Sequence, residues 1–349
     1  MKPDLYSISW KVDEPTYRKD SALSYSTIAR YSREGFNKLD KLFDEIDTPS
    51  LTFGSAVDAL ITGGQEEFDA NFIVAEFPNI SDNLQTIAKT LFNKYSSQYR
   101  NISDIDDNIL AEIGAECDFW ANPKYRNHRV KLIKENCQEY YNIMYAALGK
   151  KVISTETKEQ VDAAVRALKD DLATKFYFAP NNPFNQDIQR YYQLKFKATL
   201  QGVEYRCMVD ELIIDHKNKT IQPIDLKTSS HKEWDFYQSF VQWSYQLQAR
   251  LYWRIIYDNI QRYEEFNGYK LLPYKFIVIN KFTLTPLVWD FEDTCTYGTL
   301  YYGKNKQIEC RDPFELGKEL HYYLTVHPAV PKGINIIGSN NLKEWLNTI

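Results

Sequence analysis

The sequence lacks the residue patterns of several common kinds of site. Its five cysteines are scattered and form no C-x-x-C pair, which argues against a disulfide framework, a zinc site and an iron–sulfur cluster, and fits a reducing compartment. The five histidines show no H-E-x-x-H spacing. No apolar run is long enough to span a membrane, and the N-terminal segment has no apolar signal-peptide region. We therefore expect a cytoplasmic protein with no membrane partner.

A surplus of positive charge is also missing. The 349 residues include 42 Lys and Arg against 47 Asp and Glu, a net charge of −5. This balance excludes a uniformly basic nucleic-acid coat but leaves room for a local basic groove. Hydrophobic residues make up 44% of the chain and charged residues 26%, which is typical of a globular protein.

Apolar residues recur with helical spacing in the first half of the chain. The spacing predicts helices over 24–47 and 53–61 and a helical section over about 80–180. We place the start of the last helix of this section at a capping box formed by Thr157 and Gln160. Residues 102–119 carry six acids and no base, so much of the negative charge lies here.

The apolar spacing changes to strict alternation after Asn181-Asn182-Pro183. Alternating residues over 192–200 and 203–209, separated by Gln201-Gly202, predict a β-hairpin with one buried face. Further elements follow: a strand near 221–227, a helix over 236–260, strands near 275–281 and 286–291, and a terminal helical stretch over about 293–349. The order predicts a single α/β domain over 1–349, with a small mixed sheet, a core formed by 20–65 and 185–292, and the added helical section.

Two carboxylates and one ammonium group should meet on the hairpin and the next strand. Asp210 ends the second strand, and Asp225 and Lys227 point to one face of the third. Two oxygen anions beside an ammonium suit a Mg²⁺ or Mn²⁺ site with an activated water, and Lys227 would orient that water or neutralise charge on a phosphate. The alternative is a solvated strand end, where acids near lysines are common. We interpret Pro223 as the first residue of the third strand or a bulge.

Other polar residues lie at suggestive positions nearby. Gln248 and Tyr252 share one helix face four residues apart, and Gly54-Ser55-Ala56-Val57-Asp58 adds a carboxylate on a short helix.

Taken in order, these residues resemble the PD-(D/E)XK nuclease superfamily, in particular its phage-type and RecB-like exonucleases, including the exonuclease VIII family. That pattern has an S-x-S helix start, G-x-x-x-H/D, an Asp ending a hairpin, D/E-x-K on the next strand and Q-x-x-x-Y on a helix. The corresponding residues span about 20–290 and are Ser24 and Ser26, Gly54 and Asp58, Asp210, Asp225 and Lys227, and Gln248 and Tyr252.

The resemblance implies a restriction-endonuclease-like core and a role for each residue. Asp210, Asp225 and the backbone carbonyl of Leu226 would bind the principal metal ion, and Asp58 that ion or a second one. Lys227 would assist the water. Gln248, Tyr252, Ser26 and Thr228 would support the site or contact DNA. Many relatives have His at the position of Asp58, some have a hairpin Glu where this chain offers Gln189 or Gln193, and several have cluster-binding cysteines that this chain lacks.

The function implied is Mg²⁺- or Mn²⁺-dependent hydrolysis of DNA by an exonuclease of phage or prokaryotic recombination or replication. If the protein is phage-encoded, it would act in the host cytoplasm. The partners expected are DNA and, as an open option, a recombination protein. A structure-specific endonuclease and a catalytically silent DNA-binding module remain open alternatives. We expect no ATP site, because Gly298–Lys304 has phosphate-loop spacing but bulky residues inside it and Asn305 after it. The segment 190–232, which carries the candidate site, has eight Lys and Arg against five acids, so a phosphodiester could be attracted there.

Overall fold

The computed structural model describes residues 2–325, apart from 45, 47, 148, 296–297 and 303–305. The sequence predicts a single domain. In the structure the chain divides into two compact units. The first unit comprises Met1–Gly54 and Ala163–Ile349, and the second comprises Ser55–Asp162. The helical section thus corresponds to a unit that begins at Ser55, earlier than the sequence indicated, and ends at Asp162.

The helices follow one another along both units. In chain order they are α1 (Glu14–Lys19), α2 (Tyr25–Glu34), α3 (Pro49–Thr62), α4 (Gly64–Asn71), α5 (Asp82–Tyr95), α6 (Asp107–Glu116), α7 (Arg126–Asn136), α8 (Gln138–Ala147), α9 (Thr155–Asp170), α10 (Phe236–Gln242), α11 (Tyr245–Ile260) and α12 (Pro313–Thr325). Short 3-10 helices cover Phe36–Lys41, Ile102–Asp104, Pro123–Tyr125, Glu233–Asp235, Glu264–Phe266 and Glu292–Cys295. None of the helices within the described residues is long and apolar enough to cross a membrane.

The strands lie mainly in the first unit. In chain order they are β1 (Phe72–Val74), β2 (Lys151–Ile153), β3 (Ile188–Leu200), β4 (Val203–Asp215), β5 (Thr220–Ser229), β6 (Lys270–Leu271), β7 (Lys275–Asn280), β8 (Pro286–Asp290), β9 (Gly298–Tyr302) and β10 (Lys306–Cys310). The central sheet has the order β3-β4-β5-β7-β8, with β6 also paired to β5. Since β5 and β7 are parallel and the other neighbours along that order antiparallel, the sheet is mixed and the fold is α/β, as the sequence predicts.

The hairpin of β3 and β4 is the longest pairing of this sheet. Its turn is Gln201-Gly202, and both residues have positive φ, +51° and +81°, which gives the tight turn that the sequence indicates. On one face of the hairpin, Leu194, Phe196 and Tyr205 are buried in the same core as the apolar residues of α11. This core fixes the position of α11 against the sheet.

The second unit has a core of its own, formed by α5, α6, α7 and α8. Buried residues such as Ile87, Leu91, Leu110 and Ile133 form it. Within the same unit β1 and β2 make a two-stranded parallel sheet.

Several predicted boundaries are wrong, for local reasons. The helix expected over 24–47 ends at Glu34 because Gly35 adopts φ +73°. The last helix of the helical section begins at Thr155, since the Ser154 hydroxyl accepts from the Thr157 amide, so Thr157 and Gln160 are not its capping box. The helix expected over 236–260 is two helices, broken at Ser244 with φ +58°.

The C-terminal stretch is also only partly helical. Two antiparallel strands, β9 and β10, precede α12, so a helical stretch over 293–349 is incorrect for its first part. Residues 326–349 lie outside the described part of the chain. The segment with phosphate-loop spacing begins in β9, and Lys304 and Asn305 lie outside the described residues.

Pro223 is neither the first residue of its strand nor a bulge. It is the fourth residue of β5 and lies opposite Leu212 of β4. On the other side of β5 the partner changes here, because β6 pairs up to Ile221 and β7 begins at Ile224. A missing amide at this gap removes no ladder hydrogen bond, which explains how a central strand tolerates proline.

Candidate active site

The candidate site lies where β4 and β5 separate. Their ladder ends at the pair Glu211–Ile224, and continuing the same register would place Asp210 opposite Asp225. In place of a backbone bond, the Leu226 amide donates to Asp210 Oδ2 at 2.8 Å. Because the N–H and C=O of one strand residue point to the same side, the Leu226 carbonyl also faces this gap.

Asp225 is the most deeply buried member of the site. The residue is 1% exposed, its Oδ2 lies 2.5 Å from Lys227 Nζ, and its Oδ1 accepts from Gln248 Nε2. Burial raises the pKa of the Asp225 carboxyl, while Lys227, Gln248 and a side-chain hydrogen bond with Asp210 oppose that rise. The two carboxyl groups therefore lie close together, a costly arrangement unless a proton or a cation lies between them.

Lys227 is held from two sides. Its ammonium pairs with Asp225 and lies 4.7 Å from the centroid of the Tyr245 ring. Burial disfavours the charge, but the Asp225 carboxylate, followed by Tyr245 and Asp210, outweighs burial and raises the pKa of Lys227 above its ordinary value. The pairing with Asp225 thus stabilises the ammonium form of Lys227.

Three tyrosines line the site, and sequence reasoning missed two of them. Tyr252 packs edge-on against Tyr25, which in turn lies 6.5 Å from Tyr245 between ring centroids. The spacing of Tyr245 from Gln248 and Tyr252, three and seven residues on one helix face, could have identified it. Tyr25 lies between Ser24 and Ser26, so the S-x-S motif could have identified it. Its hydroxyl donates to the Trp243 carbonyl at 2.6 Å.

The two serines of the helix start have local partners. Ser24 caps α2 and bonds Ser26 at 2.8 Å, hydroxyl to hydroxyl. Gly54 lies close to Thr228, since a Cβ at Gly54 would lie 3.0 Å from Thr228 Oγ1. Close backbone approach, rather than backbone flexibility, therefore favours glycine at this position.

Asp58 belongs to the second unit. It lies on α3, one helical turn after Gly54, and its backbone carbonyl accepts from the Thr62 hydroxyl at 2.8 Å. Its role as a metal ligand stays a prediction. Within the part of the chain that the structure describes, no three or more His, Cys, Asp or Glu side chains are grouped closely enough to hold a metal ion.

A second buried carboxyl, Glu211, was not anticipated. It is 2% exposed and its pKa is raised to about 8 by burial, against the opposing effects of Arg190 and Tyr192. Gln193 has φ +53° and lies opposite Asp210 in the hairpin register. At this point the strand face that meets the core changes, since Leu194 and Tyr191 both pack on the same core. Gln193 thus offers no carboxylate to the hairpin, and Glu211, next to Asp210 in the chain, is the buried acid of this segment.

Comparisons with known proteins give distant structural similarity and no match in sequence. No family model matches the chain, and no curated protein matches it. A solved structure of a proposed exonuclease from Eubacterium rectale is similar with a TM-score of 0.40 and 12% sequence identity, covering 97% of this chain and 88% of that one. Similarity at this level assigns neither a function nor a site to the chain.

Proposed function

We propose that this chain is a divalent-metal-dependent DNA nuclease of the PD-(D/E)XK type, acting as an exonuclease. The observation that supports this function best is the approach of Asp210 and Asp225 at the opening between β4 and β5, where Asp210 accepts from the Leu226 amide and Lys227 is paired to Asp225. The order of these residues along the chain resembles that of the phage-type and RecB-like exonucleases. On that basis we propose a setting in phage or prokaryotic DNA recombination or replication.

The donor set fits Mg²⁺ or Mn²⁺. Asp210, Asp225 and the Leu226 carbonyl would offer oxygen atoms only, which hard divalent ions prefer. A divalent ion here would offset the repulsion between the two neighbouring carboxylates. When bound, the ion would lower the pKa of a water molecule and offset charge on the phosphodiester.

The residues of the chain would prepare this chemistry in separate ways. Gln248 donates to Asp225 Oδ1, and Lys227 binds Oδ2, so the carboxylate has one orientation. The ammonium of Lys227, fixed by Asp225 and the Tyr245 ring, would donate a hydrogen bond to the attacking water or to a phosphate oxygen. Hydrolysis then adds water across one P–O bond, leaving a phosphate monoester and a hydroxyl.

Nucleotide release from linear duplex DNA tests the proposal. Wild type should release nucleotides with Mg²⁺ and not with a chelator, and Asp225→Asn should reduce the rate by at least about 1000-fold. Asp258→Asn is the matched control, because Asp258 lies on α11 in a surface ion pair with Arg262. Equal rates for wild type and Asp225→Asn would refute the assignment. Closed circular DNA should remain intact, and nicking of that substrate would indicate an endonuclease.

One observation favours a second candidate, a catalytically silent DNA-binding module. Within the described residues, two carboxylates meet at the site but no third joins them. Titration calorimetry with Mn²⁺ separates the two candidates. A nuclease should bind Mn²⁺ in a manner that depends on Asp210 and Asp225, whereas a silent module should bind DNA without such Mn²⁺ binding.

A further inference from the structure

Two exposed aromatic rings lie on loops that follow strands of the central sheet. Trp234 is 69% exposed and follows β5, and Phe282 is 73% exposed and follows β7. Each ring has its own cation. Lys232 Nζ lies 5.3 Å from the Trp234 ring centroid, and Lys281 Nζ lies 5.0 Å from the Phe282 centroid. Large rings left in solvent beside ammonium groups are a pattern that suits nucleic-acid bases and phosphates.

Both loops begin at the edge of the sheet that carries the candidate site. Since β5 and β7 are parallel, with Lys227 opposite Val278 and Ser229 opposite Asn280, their C-terminal ends share one edge. Ser229 is two residues beyond Lys227, about 7 Å along a strand. A strand of nucleic acid leaving the site on this side would meet these loops first.

The two loops are tied together. Asn280 Nδ2 donates to the His231 carbonyl at 2.8 Å, and the Lys281 amide donates to the Ser229 carbonyl at 3.0 Å. Within the second loop, Asn280 Oδ1 accepts from the Phe282 amide at 2.8 Å. Because the backbones that carry the rings are already ordered, binding a ligand would cost little conformational entropy.

The acids of the loops decide which ligand fits. Glu233 Oε1 accepts from the Thr283 hydroxyl at 3.1 Å, and Asp235 Oδ1 accepts from Gln238 Nε2 at 3.3 Å. These two acids balance the formal charge of Lys232 and Lys281, so attraction of phosphate alone is weak here. Stacking must dominate, and stacking needs bases that are not already stacked in a duplex.

We propose that Trp234 and Phe282 form a stacking platform for single-stranded DNA at the exit or entrance of the site. The platform rests on the proposed nuclease function and refines it. The substrate end would be held as a separated strand, with its bases on the two rings and its phosphates beside Lys232 and Lys281.

Binding of a fluorescent oligothymidylate of about 16 nucleotides tests the platform. It is measured in the Asp225→Asn background without divalent metal, so that no cleavage interferes. Trp234→Ala and Phe282→Ala should each weaken binding at least about fivefold, the effect of losing one stacked base. The loss should persist at high salt, and affinity for a blunt-ended duplex should change less than twofold. Phe184→Ala is the matched control, because Phe184 is 96% exposed on another loop and should leave binding unchanged.

Other outcomes overturn the platform. The double variant Trp234→Ala, Phe282→Ala would overturn it if its affinity for single-stranded DNA stayed within twofold of the parent. Equal losses of affinity for duplex and single-stranded DNA would also overturn it. A double variant that keeps its affinity but changes from dimer to monomer in sedimentation would assign the rings to a second copy of the chain.

The nuclease proposal fails independently of the platform. If the wild-type chain releases no nucleotides while Trp234→Ala and Phe282→Ala weaken oligothymidylate binding, the platform stands and the hydrolytic function does not. If nucleotides are released and the ring variants bind normally, only the platform is lost.

Discussion

The two ends of the β4–β5 pair differ in how the strands are held together. At the closed end, Glu211–Asp215 pairs with Thr220–Ile224 by regular backbone hydrogen bonds, and Ile214 and Ile221 are fully buried. At the open end, which comprises Asp210, Asp225, Leu226 and Lys227, a carboxylate accepts the Leu226 amide. The same two strands thus have an end joined by backbone pairing, with buried isoleucines, and a separated end at which Asp210, Asp225 and Lys227 meet.

The difference teaches how a small sheet can carry buried charge. Desolvating Asp225 and Lys227 costs free energy that their mutual attraction recovers only in part. The closed end, where apolar residues and backbone pairing contribute stability, holds the strands in register so that the open end need not contribute. We therefore expect substitutions at the open end to lower activity, and to lower stability only where they leave a buried charge unpaired, whereas those at the closed end should lower stability alone.

Removing the ammonium group should have an effect second only to loss of the Asp225 carboxylate. We expect Lys227→Met to lower the rate of nucleotide release by about 100- to 1000-fold, and to destabilise the fold by about 3 kcal/mol because Asp225 is left buried without its cation. Activity assays and urea unfolding measure the two effects. In the double variant Lys227→Met, Asp225→Leu, stability should return while activity stays lost. A double variant no more stable than Lys227→Met would show that burial of the charge is not the cause.

A cavity at the closed end should lower the free energy of unfolding and leave the rate of nucleotide release unchanged. Ile214→Ala removes buried methyl groups and should lower the free energy of unfolding by about 3 kcal/mol. Nucleotide release per folded molecule should remain that of wild type, as measured below the unfolding transition. A loss of more than tenfold in that rate would mean that the two ends are not independent.

Much of this contrast was readable from the sequence. Alternation over 192–200 and 203–209 predicted the hairpin, and the period of two predicted that Asp225 and Lys227 share a face, as their 2.5 Å contact shows. These features depend on the local spacing of residues, which can be read from a single sequence. The mixed α/β architecture followed from the order of elements.

Features that depend on distant neighbours could not be read in this way. Pro223 is tolerated because β6 ends and β7 begins beside it, and nothing near Pro223 in sequence reveals that change of partner. The break at Ser244 places the Trp243 carbonyl where Tyr25 bonds it, a contact across 218 residues. The helical spacing of 236–260 does not reveal a bonding partner so far along the chain.

The support of Asp225 by Gln248 should have a smaller effect than loss of the ammonium. Gln248→Leu removes the donor to Asp225 Oδ1 and should raise the Mg²⁺ concentration for half-maximal activity by about 10- to 100-fold, the usual effect of losing a hydrogen bond to a metal ligand. Gln246→Leu, a buried glutamine two residues earlier on α11, is the control and should leave the Mg²⁺ dependence unchanged. The assignment of Asp225 as a ligand is contradicted by an unaltered Mg²⁺ dependence in Gln248→Leu.

The smallest effect is expected at the turn that joins β4 to β5 beyond the closed end. Lys219 has φ +50°, a left-handed conformation that costs an L-residue about 1–2 kcal/mol, whereas glycine adopts it without strain but loses more entropy on folding. Lys219→Gly should therefore raise the free energy of unfolding by about 0.5 kcal/mol, as measured by urea denaturation. Lys217→Gly in the same turn removes the same charge at a residue that does not have positive φ, and it should destabilise. Equal effects of the two substitutions would mean that charge, and not backbone strain, governs this turn, and that the closed end carries no such strain to relieve.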